Sequence, residues 1–285
     1  MSATQLGLTG MPQRLFVCTP TRLTTWLECP RRYRYAYLDR PTPPKGPAWA
    51  HNSVGASVHA ALAAWYRLEP ADRTADRAAE LLDAAWLHDG FRDDDQAALW
   101  RSRSREMVRR YASAVDPTTD PVGIERTVAT RTDVLALSGR VDRLDVRRVA
   151  GVEQLVVVDY KTGRHVLTSA DVRSSLALAL YALAAARVLR KPCTRVELHH
   201  LPTGDVVGHD HTAETLQRHL GRAESIAAEA AAAEVAYRNG LDEVERDERF
   251  PATVSSACRW CDFSRHCASG RAAYPPAPPW AGLPD

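Results

Sequence analysis

The chain has almost no lysine. Lys45, Lys161 and Lys191 stand alone among 37 basic residues, so arginine supplies nearly all of the positive charge. Arginine keeps its proton near neutral pH whereas lysine can release one, so a lysine in a chemically loaded stretch marks a specific need. No run of about 18 apolar residues occurs, which excludes a membrane-spanning helix. The N-terminus lacks a basic segment followed by an apolar one, so it does not read as a secretory signal, and a cytoplasmic protein is expected. No Gly-x4-Gly-Lys-Ser/Thr loop is present, which excludes an ATP-driven motor in this chain. The net charge is only +2, too small to announce a nucleic-acid partner. There is no internal repeat.

What is present centres on two stretches. Gly139-Arg140-Val141-Asp142-Arg143-Leu144-Asp145 reads as a strand carrying an acid near its end. Val156-Val157-Val158-Asp159-Tyr160-Lys161-Thr162-Gly163 is an apolar strand running into Asp-Tyr-Lys. Asp159 and Lys161 are two apart, so on a strand they face the same side. Two carboxylates from adjacent strands with a lysine can hold a divalent metal and a water beside a phosphate.

Around these stretches the pattern is mostly helical. Thr19-Pro20 offers a helix start, and helices are expected over 22–28, 31–38, 54–66, 73–88, 94–114, 172–189 and 212–238. Extended segments are expected at 123–132, at the two central stretches with a turn over 147–153, at 195–201 and at 206–208. That order predicts an α/β protein, a central mixed β-sheet flanked by helices. Its expected organisation is a weakly ordered lead-in over 1–18, one domain over 19–270 and a loosely ordered Pro-rich tail over 271–285. Within the domain, 19–120 is mainly helical, 121–210 holds the sheet, and 211–270 is a helix plus a cysteine cluster. Basic clusters at Arg31–Arg34, Arg101–Arg110 and Arg140–Arg148 read either as solvated faces or as nucleic-acid contacts. Arginines and aromatics of 31–37 are expected to touch backbone or bases. His59, beside the apolar stripe Val58, Leu62 and Trp65, reads by itself as a core histidine.

In a reducing compartment the six cysteines are not expected to form disulfides. Cys258-Arg-Trp-Cys261 brings two thiolates together on a turn and Cys267 can fold back to them. Cys29, beside Pro30 at a helix break, is the best fourth ligand, and His266 a weaker substitute. Cys18 and Cys193 read as small apolar residues. Such a set would clasp the two ends of the chain around the core.

Taken together, the two central stretches resemble the core of the PD-(D/E)XK nucleases, and the RecB-like branch in particular. Gly55-Ala-Ser-Val-His59 is similar to its Gly-x-x-x-His helix, and Leu180-Tyr181-Ala182 to the end of its helix after the lysine strand. Trp26-Leu-Glu-Cys29-Pro-Arg-Arg-Tyr33 with Cys258, Cys261 and Cys267 resembles the split four-cysteine signature of its iron–sulfur members. The motifs span roughly residues 20–270 in the family's order. The resemblance implies a restriction-endonuclease-like core and a Mg2+- or Mn2+-dependent DNA nuclease, in particular an exonuclease on single strands or DNA ends. The alternative is a catalytically weak nucleic-acid-binding or accessory subunit. The resemblance makes His59, Asp142 and Asp159 metal ligands, with the Tyr160 carbonyl completing the set. It gives Lys161 the attacking water and places Tyr181 in the catalytic group. It favours a 4Fe–4S cluster on Cys29, Cys258, Cys261 and Cys267, with structural Zn2+ as the alternative. It implies DNA repair, recombination or CRISPR-type DNA processing, with a possible helicase or recombination partner and no membrane. One departure is Ala177, which stands where the family commonly has Gln; Ser174 or Ser175 is a possible substitute. Glu125 stands where the family often has a further acid, and reads equally as a surface carboxylate.

Overall fold

Residues 15–285 are described by the structure, a computed structural model. In chain order the elements are β1 (Phe16–Cys18), α1 (Pro20–Glu28), α2 (Pro30–Tyr37), α3 (Ala50–Tyr66), α4 (Ala75–Ala84) and α5 (Asp94–Ala114). Then come β2 (Gly123–Arg131), β3 (Leu135–Val149), β4 (Val152–Lys161), α6 (Ser169–Ser174) and α7 (Leu176–Leu189). The chain closes with β5 (Cys193–His200), β6 (Asp205–Asp210), α8 (Ala213–Arg238), α9 (Glu243–Arg249) and α10 (Ala268–Ala273). The expected mixed sheet with helices on its faces is what forms.

β3 is the longest strand and organises the sheet. β2 runs antiparallel along one of its edges, from Leu144 back to Ala136. The other edge is shared. β1 pairs parallel with Leu135–Leu137, and β4 pairs antiparallel with Arg143–Val149. Between them that edge of β3 carries no strand among the described residues. β4 stops pairing with β3 at Val158 and continues along β5, with Asp159 opposite Leu198 and Lys161 opposite His200. The two strands therefore fork at the point where the sequence places its acids. β6 completes the sheet beyond β5.

Alternation on β4 sorts the helices into two layers. Leu155 and Val157 join the core formed with α1, α7 and α8. Val156, Val158 and Tyr160 join the core formed with α3, α4 and α5. α7 is nearly all Ala and Leu because it is covered almost all round, with Leu178, Ala179, Leu180 and Ala182 buried. α3 buries Val54, Val58, Ala61, Leu62 and Trp65 at helical spacing. Capping follows the sequence closely. Thr19 Oγ1 accepts from Arg22 N–H with Pro20 in the first turn, and Cys29 Sγ caps α2 through Arg32 N–H.

Several expectations need correction. Residues 1–14 of the expected lead-in lie outside the described residues, but Phe16–Cys18 is a strand whose register on β3 buries Cys18. The Pro-rich tail is packed. Leu283 is buried, Gln96 Nε2 donates to the Leu283 carbonyl, and Trp100 Nε1 donates to that of Pro284. The single helix expected over 172–189 is broken at Ser175, whose extended backbone ends α6 and whose hydroxyl caps α7. α4 runs only from Ala75 to Ala84, since Arg73 is turned inward to donate to the carbonyls of Tyr66, Leu68, Pro117 and Thr119. No described helix is long and apolar enough to cross a membrane.

Candidate active site

The fork between β3 and β4 gathers the site. Where β4 leaves β3, the Tyr160 N–H loses its strand partner and donates instead to the Asp142 carboxylate at 2.9 Å. Asp142 thus stands in for a ladder carbonyl and is pinned at the mouth of the fork. α3 crosses here closely enough that a Cβ on Gly55 would lie 3.4 Å from Thr162 Oγ1. One turn further along α3, His59 places Nδ1 3.4 Å from Asp142 Oδ2 and Nε2 3.2 Å from the Tyr160 carbonyl oxygen.

Glu125 completes this group. Ile124 pairs with Arg143 and Arg126 with Val141, so Glu125 faces Asp142 directly across the strand pair. Ligand atoms of His59, Glu125 and Asp142 all lie within 4.8 Å of one another. Two carboxylates opposed on adjacent strands repel. Glu125 also holds a left-handed backbone, φ 49°, which costs a non-glycine residue about 1–3 kcal/mol. Partial compensation comes from Arg140, 2.7 Å from Glu125, and from His59. Of the two readings open for Glu125, the structure places it in the site.

Asp159 and Lys161 do share a side, as their spacing requires, and form an ion pair at 2.5 Å. They face α7, where they line a hollow with Asp171, Ser175 and Ala177. The expected set of His59, Asp142 and Asp159 is therefore only partly assembled. His59 and Asp142 converge with Glu125 on the α3 side, while Asp159 lies on the α7 side of the same fork. Charge still couples the two sides. Burial raises the Asp159 carboxyl above the usual range, Lys161 pulls it down and Asp142 pushes it up again, leaving it raised. Burial acts upward on Asp142 too, but His59 and the Tyr160 N–H outweigh it and hold this carboxyl low. For His59, burial acts downward and Asp142 more than reverses it, leaving the imidazole above its usual range.

Tyr181 stands over Gly139. A Cβ on that glycine would meet its ring at 2.5 Å. Burial, helped by Asp159 and Asp142, pushes the Tyr181 hydroxyl up to about 12, so it stays protonated. Ala177 leaves its place in the α7 hollow apolar, and the Ser175 hydroxyl is committed to the Leu178 N–H. His200 bonds the Gly163 carbonyl at 2.7 Å and fixes the loop after Lys161.

The four cysteines Cys29, Cys258, Cys261 and Cys267 surround one small hollow, together with Tyr35 and Gly270. Arg32 N–H and Gly270 N–H donate to the sulfurs of Cys29 and Cys267, each at 3.4 Å. A Cβ on Gly270 would lie 3.3 Å from the sulfurs of Cys258 and Cys267. Cys18 and Cys193 lie elsewhere in the core; burial pushes their thiols up to about 11 and about 12, so both are neutral. His266 gives Nε2 to the Pro44 carbonyl.

The nucleic-acid role expected for the 31–37 segment does not fit. Tyr33 is fully buried and bonded to Glu234, and Tyr35 is buried with its hydroxyl on the His266 carbonyl. Arg31 and Arg34 are mostly covered and both pair with Asp247. The Arg101–Arg110 cluster is likewise spent on Asp83, Asp76 and main-chain carbonyls. The open cleft is elsewhere. About 1000 Å3 in volume, it holds His59, Glu125 and Asp142 and is also lined by His51, Arg67, Arg140, Arg164 and Trp260. Of these latter residues only Arg140 and Trp260 belong to segments the sequence marks, Trp260 as part of the Cys258–Cys261 turn.

The match to a family profile agrees with the geometry. The profile of the PD-(D/E)XK nuclease superfamily matches residues 17–268. No curated protein sequence matches the chain. Among solved structures, a candidate exonuclease from Eubacterium rectale is similar at a TM-score of 0.47 and 10% identity, over 83% of this chain and 88% of that one. The protein SSO0001 is similar at a TM-score of 0.39 and 11% identity, over 91% of this chain and 89% of that one. At those scores the two structures add nothing to the family match, which spans most of the sequence and includes every residue of the fork. The chain belongs to the PD-(D/E)XK nuclease superfamily.

Proposed function

We propose that this protein is a metal-dependent DNA nuclease that hydrolyses phosphodiesters as an exonuclease on single strands or DNA ends. One observation carries the reading: two carboxylates, Glu125 and Asp142, face each other across paired strands with an imidazole between them and the next strand. That arrangement is costly as a structural device and suits a cation. The donors are hard oxygens and one imidazole, which fit Mg2+ or Mn2+. His59, Asp142, Glu125 and the Tyr160 carbonyl would hold the ion, and Asp159 would close on it from the α7 side of the fork. A bound divalent ion supplies an acidified water and charge for the phosphate oxygens.

The chain's own groups do the rest. Lys161, half exposed and tethered to Asp159, orients the attacking water and offsets charge on the phosphate. The ion pair with Asp159 sets the position of the Lys161 ammonium. Tyr181 holds β3 at Gly139 and so positions Asp142. Asp142 is fixed by its two partners, which spares the site reorganisation.

For the cysteine set a 4Fe–4S cluster is the reading the family resemblance favours, and structural Zn2+ is the alternative that four thiolates around one hollow also suit. Since no ATP-binding loop is present, movement along DNA would come from a partner helicase, in recombination-type repair or CRISPR-type DNA processing.

The test is cleavage of end-labelled single-stranded DNA with Mn2+ or Mg2+, beside Asp159→Ala. Metal-dependent shortening by the wild type, lost in the variant, is expected. Absence of cleavage by wild-type protein with either ion sinks the reading. Visible iron–sulfur absorbance with matching iron content, lost in Cys261→Ser, is expected for the cluster; stoichiometric zinc with no such absorbance overturns it.

A further inference from the structure

Helix α3 lines the cleft over its whole length. His51, Gly55, His59, Ala63 and Arg67 all line it, each four residues from the last. From His51 to Arg67 the helix rises ~24 Å, with His59 midway, and the four-residue stride carries the row gradually around the helix as it rises. The cleft is an elongated trough centred on the reacting position, at the upper end of the ~300–1,000 Å3 typical of small-ligand sites.

The two ends differ chemically. At the His51 end stands Trp260, 37% exposed. It sits edge-on to Trp49, with ring centroids 5.4 Å apart, and to His51 at 5.7 Å. Trp49 shows what a packing tryptophan does in this fold: it is buried and its Nε1 donates to Asp262. Trp260 is the outer ring of the cluster, fixed on the short turn between Cys258 and Cys261 and turned to the cleft. Beyond His59, Arg67 closes the trough, and Arg164 stands on the loop after Lys161. Neither forms an ion pair among the described residues, whereas Arg140, in the same cleft, is paired with Glu125. An exposed, rigid aromatic and unpaired guanidiniums along one trough are the two components of a single-strand site, a stacking platform and charge for the backbone.

We propose that a single nucleic-acid strand lies along α3, its reacting phosphate at His59 and one unpaired base stacked on Trp260. This rests on the nuclease reading for the position of the phosphate. His51 is eight residues from His59, ~12 Å along the helix. At ~3.4 Å per stacked nucleotide the base on Trp260 is about three to four positions from the cleaved bond. The cysteine clasp then has a second task, since Cys258 and Cys261 hold the platform between them. Arg67 receives backbone phosphate on the other side of the cut.

The experiment measures fluorescence anisotropy of labelled single strands on the full chain, without added Mg2+ or Mn2+. A single abasic nucleotide is scanned along the strand, with wild type, Trp260→Ala, Trp260→Phe and Arg67→Ala. Trp260→Ala is expected to raise Kd by ~5- to 150-fold, the range for losing one stacked base, and Trp260→Phe by much less. In the wild type one abasic position, three or four nucleotides from the cleavage point, should cost as much; in Trp260→Ala it should cost nothing further. Arg67→Ala, remote from the cysteines, should weaken all strands alike and lower the salt slope by about one. A flat abasic scan in the wild type overturns the placement. So do losses that multiply in Trp260→Ala, or an Arg67→Ala protein with unchanged binding and salt slope. Cleavage by the wild type with a flat scan would overturn the placement alone; the full binding pattern without any metal-dependent cleavage would overturn the nuclease reading alone.

Discussion

A single methyl group at residue 139 is expected to weaken the fold measurably. In Gly139→Ala the new Cβ would lie 2.5 Å from Tyr181 Cε1 and 3.2 Å from Pro20 Cδ. Neither neighbour is the loose end of a long side chain. Tyr181 projects from α7, whose Leu180 and Ala182 are fully buried, and Pro20 is in the first turn of α1. Overpacking against such partners costs about 1–3 kcal/mol. A chain of this size loses ~2–4 °C of Tm per kcal/mol, so a fall of ~2–12 °C is expected. Tyr181→Ala removes the obstruction. It is destabilising alone, but combined with Gly139→Ala the total should fall short of the sum by about 1 kcal/mol or more. Tyr181→Phe keeps the ring and should give no such relief. The assay is thermal unfolding followed by circular dichroism for the four proteins of the cycle. An unchanged Tm in Gly139→Ala, or strictly additive losses, would refute the claim that Tyr181 lies against the β3 backbone. The consequence reaches the chemistry, because Asp142 is three residues along the same strand.

Three further outcomes follow from the site and its surroundings. The His59–Asp142 pair should make metal-free stability depend on pH in two directions. The raised His59 contributes stability that is full below its unfolded value of about 6.5 and is lost as pH rises through its folded value, while the lowered Asp142 contributes above its unfolded value of about 3.9 and loses this on acidification. The Tm difference between wild type and His59→Gln, measured with chelator, should therefore shrink as pH rises above about 6.5; a constant difference from pH 5 to 9 would contradict the pairing. Glu125→Gly relieves the left-handed backbone and the facing carboxylates, so Tm of the metal-free protein should hold or rise by the equivalent of ~1 kcal/mol while metal-dependent cleavage falls by tenfold or more; cleavage at the wild-type rate would remove Glu125 from the site. Arg34→Ala should lower Tm and leave single-strand affinity within twofold, since the guanidinium is spent on Asp39 and Asp247; a loss of affinity at unchanged Tm would restore this segment to the nucleic-acid surface.

Much of the fold could be read in the chain because its signals are local. Thr19 before Pro20, the stripe of Val58, Leu62 and Trp65, and the Ala/Leu run of α7 each state an element through capping or periodicity. Asp159 and Lys161 were legible as partners for the same reason, two residues apart on a strand. The misreadings came where a side chain answers to something distant. Tyr33 and Arg34 look like nucleic-acid contacts until Glu234 and Asp247 are brought against them by α8 and α9. The Pro-rich tail looks loose until its carbonyls meet Gln96 and Trp100. Ser175 shows the subtler case, since a hydroxyl inside an Ala/Leu run is weak punctuation unless its capping bond is seen.

Glu125 marks the boundary between what spacing can and cannot decide. It lies eight residues before Asp133 and Asp142 lies eight residues after Val134, so a tight turn at that pair of residues places the two acids face to face. The register was thus written in the sequence, hidden only by the absence of a strong turn dipeptide at the reversal. What spacing could not supply is the fork. Pairing of β3 with β4 ends at Val158 because β5 holds Asp159–Lys161 through its own ladder, and because Asp142 takes the Tyr160 N–H that β3 would have accepted. A side-chain carboxylate replacing a main-chain carbonyl is what keeps the strands apart at low cost. The acid that reads as a metal ligand is therefore also the wedge of the fork, so its removal would alter the place where the ligands meet as well as their number. Asp142→Asn, which keeps an oxygen acceptor for Tyr160, should hold the fork open and lose metal affinity alone. Asp142→Ala should lose both, and amide exchange at Tyr160 should separate the two: slow in the asparagine variant and fast in the alanine variant. Equal exchange in the two proteins would show that the strands diverge without the wedge.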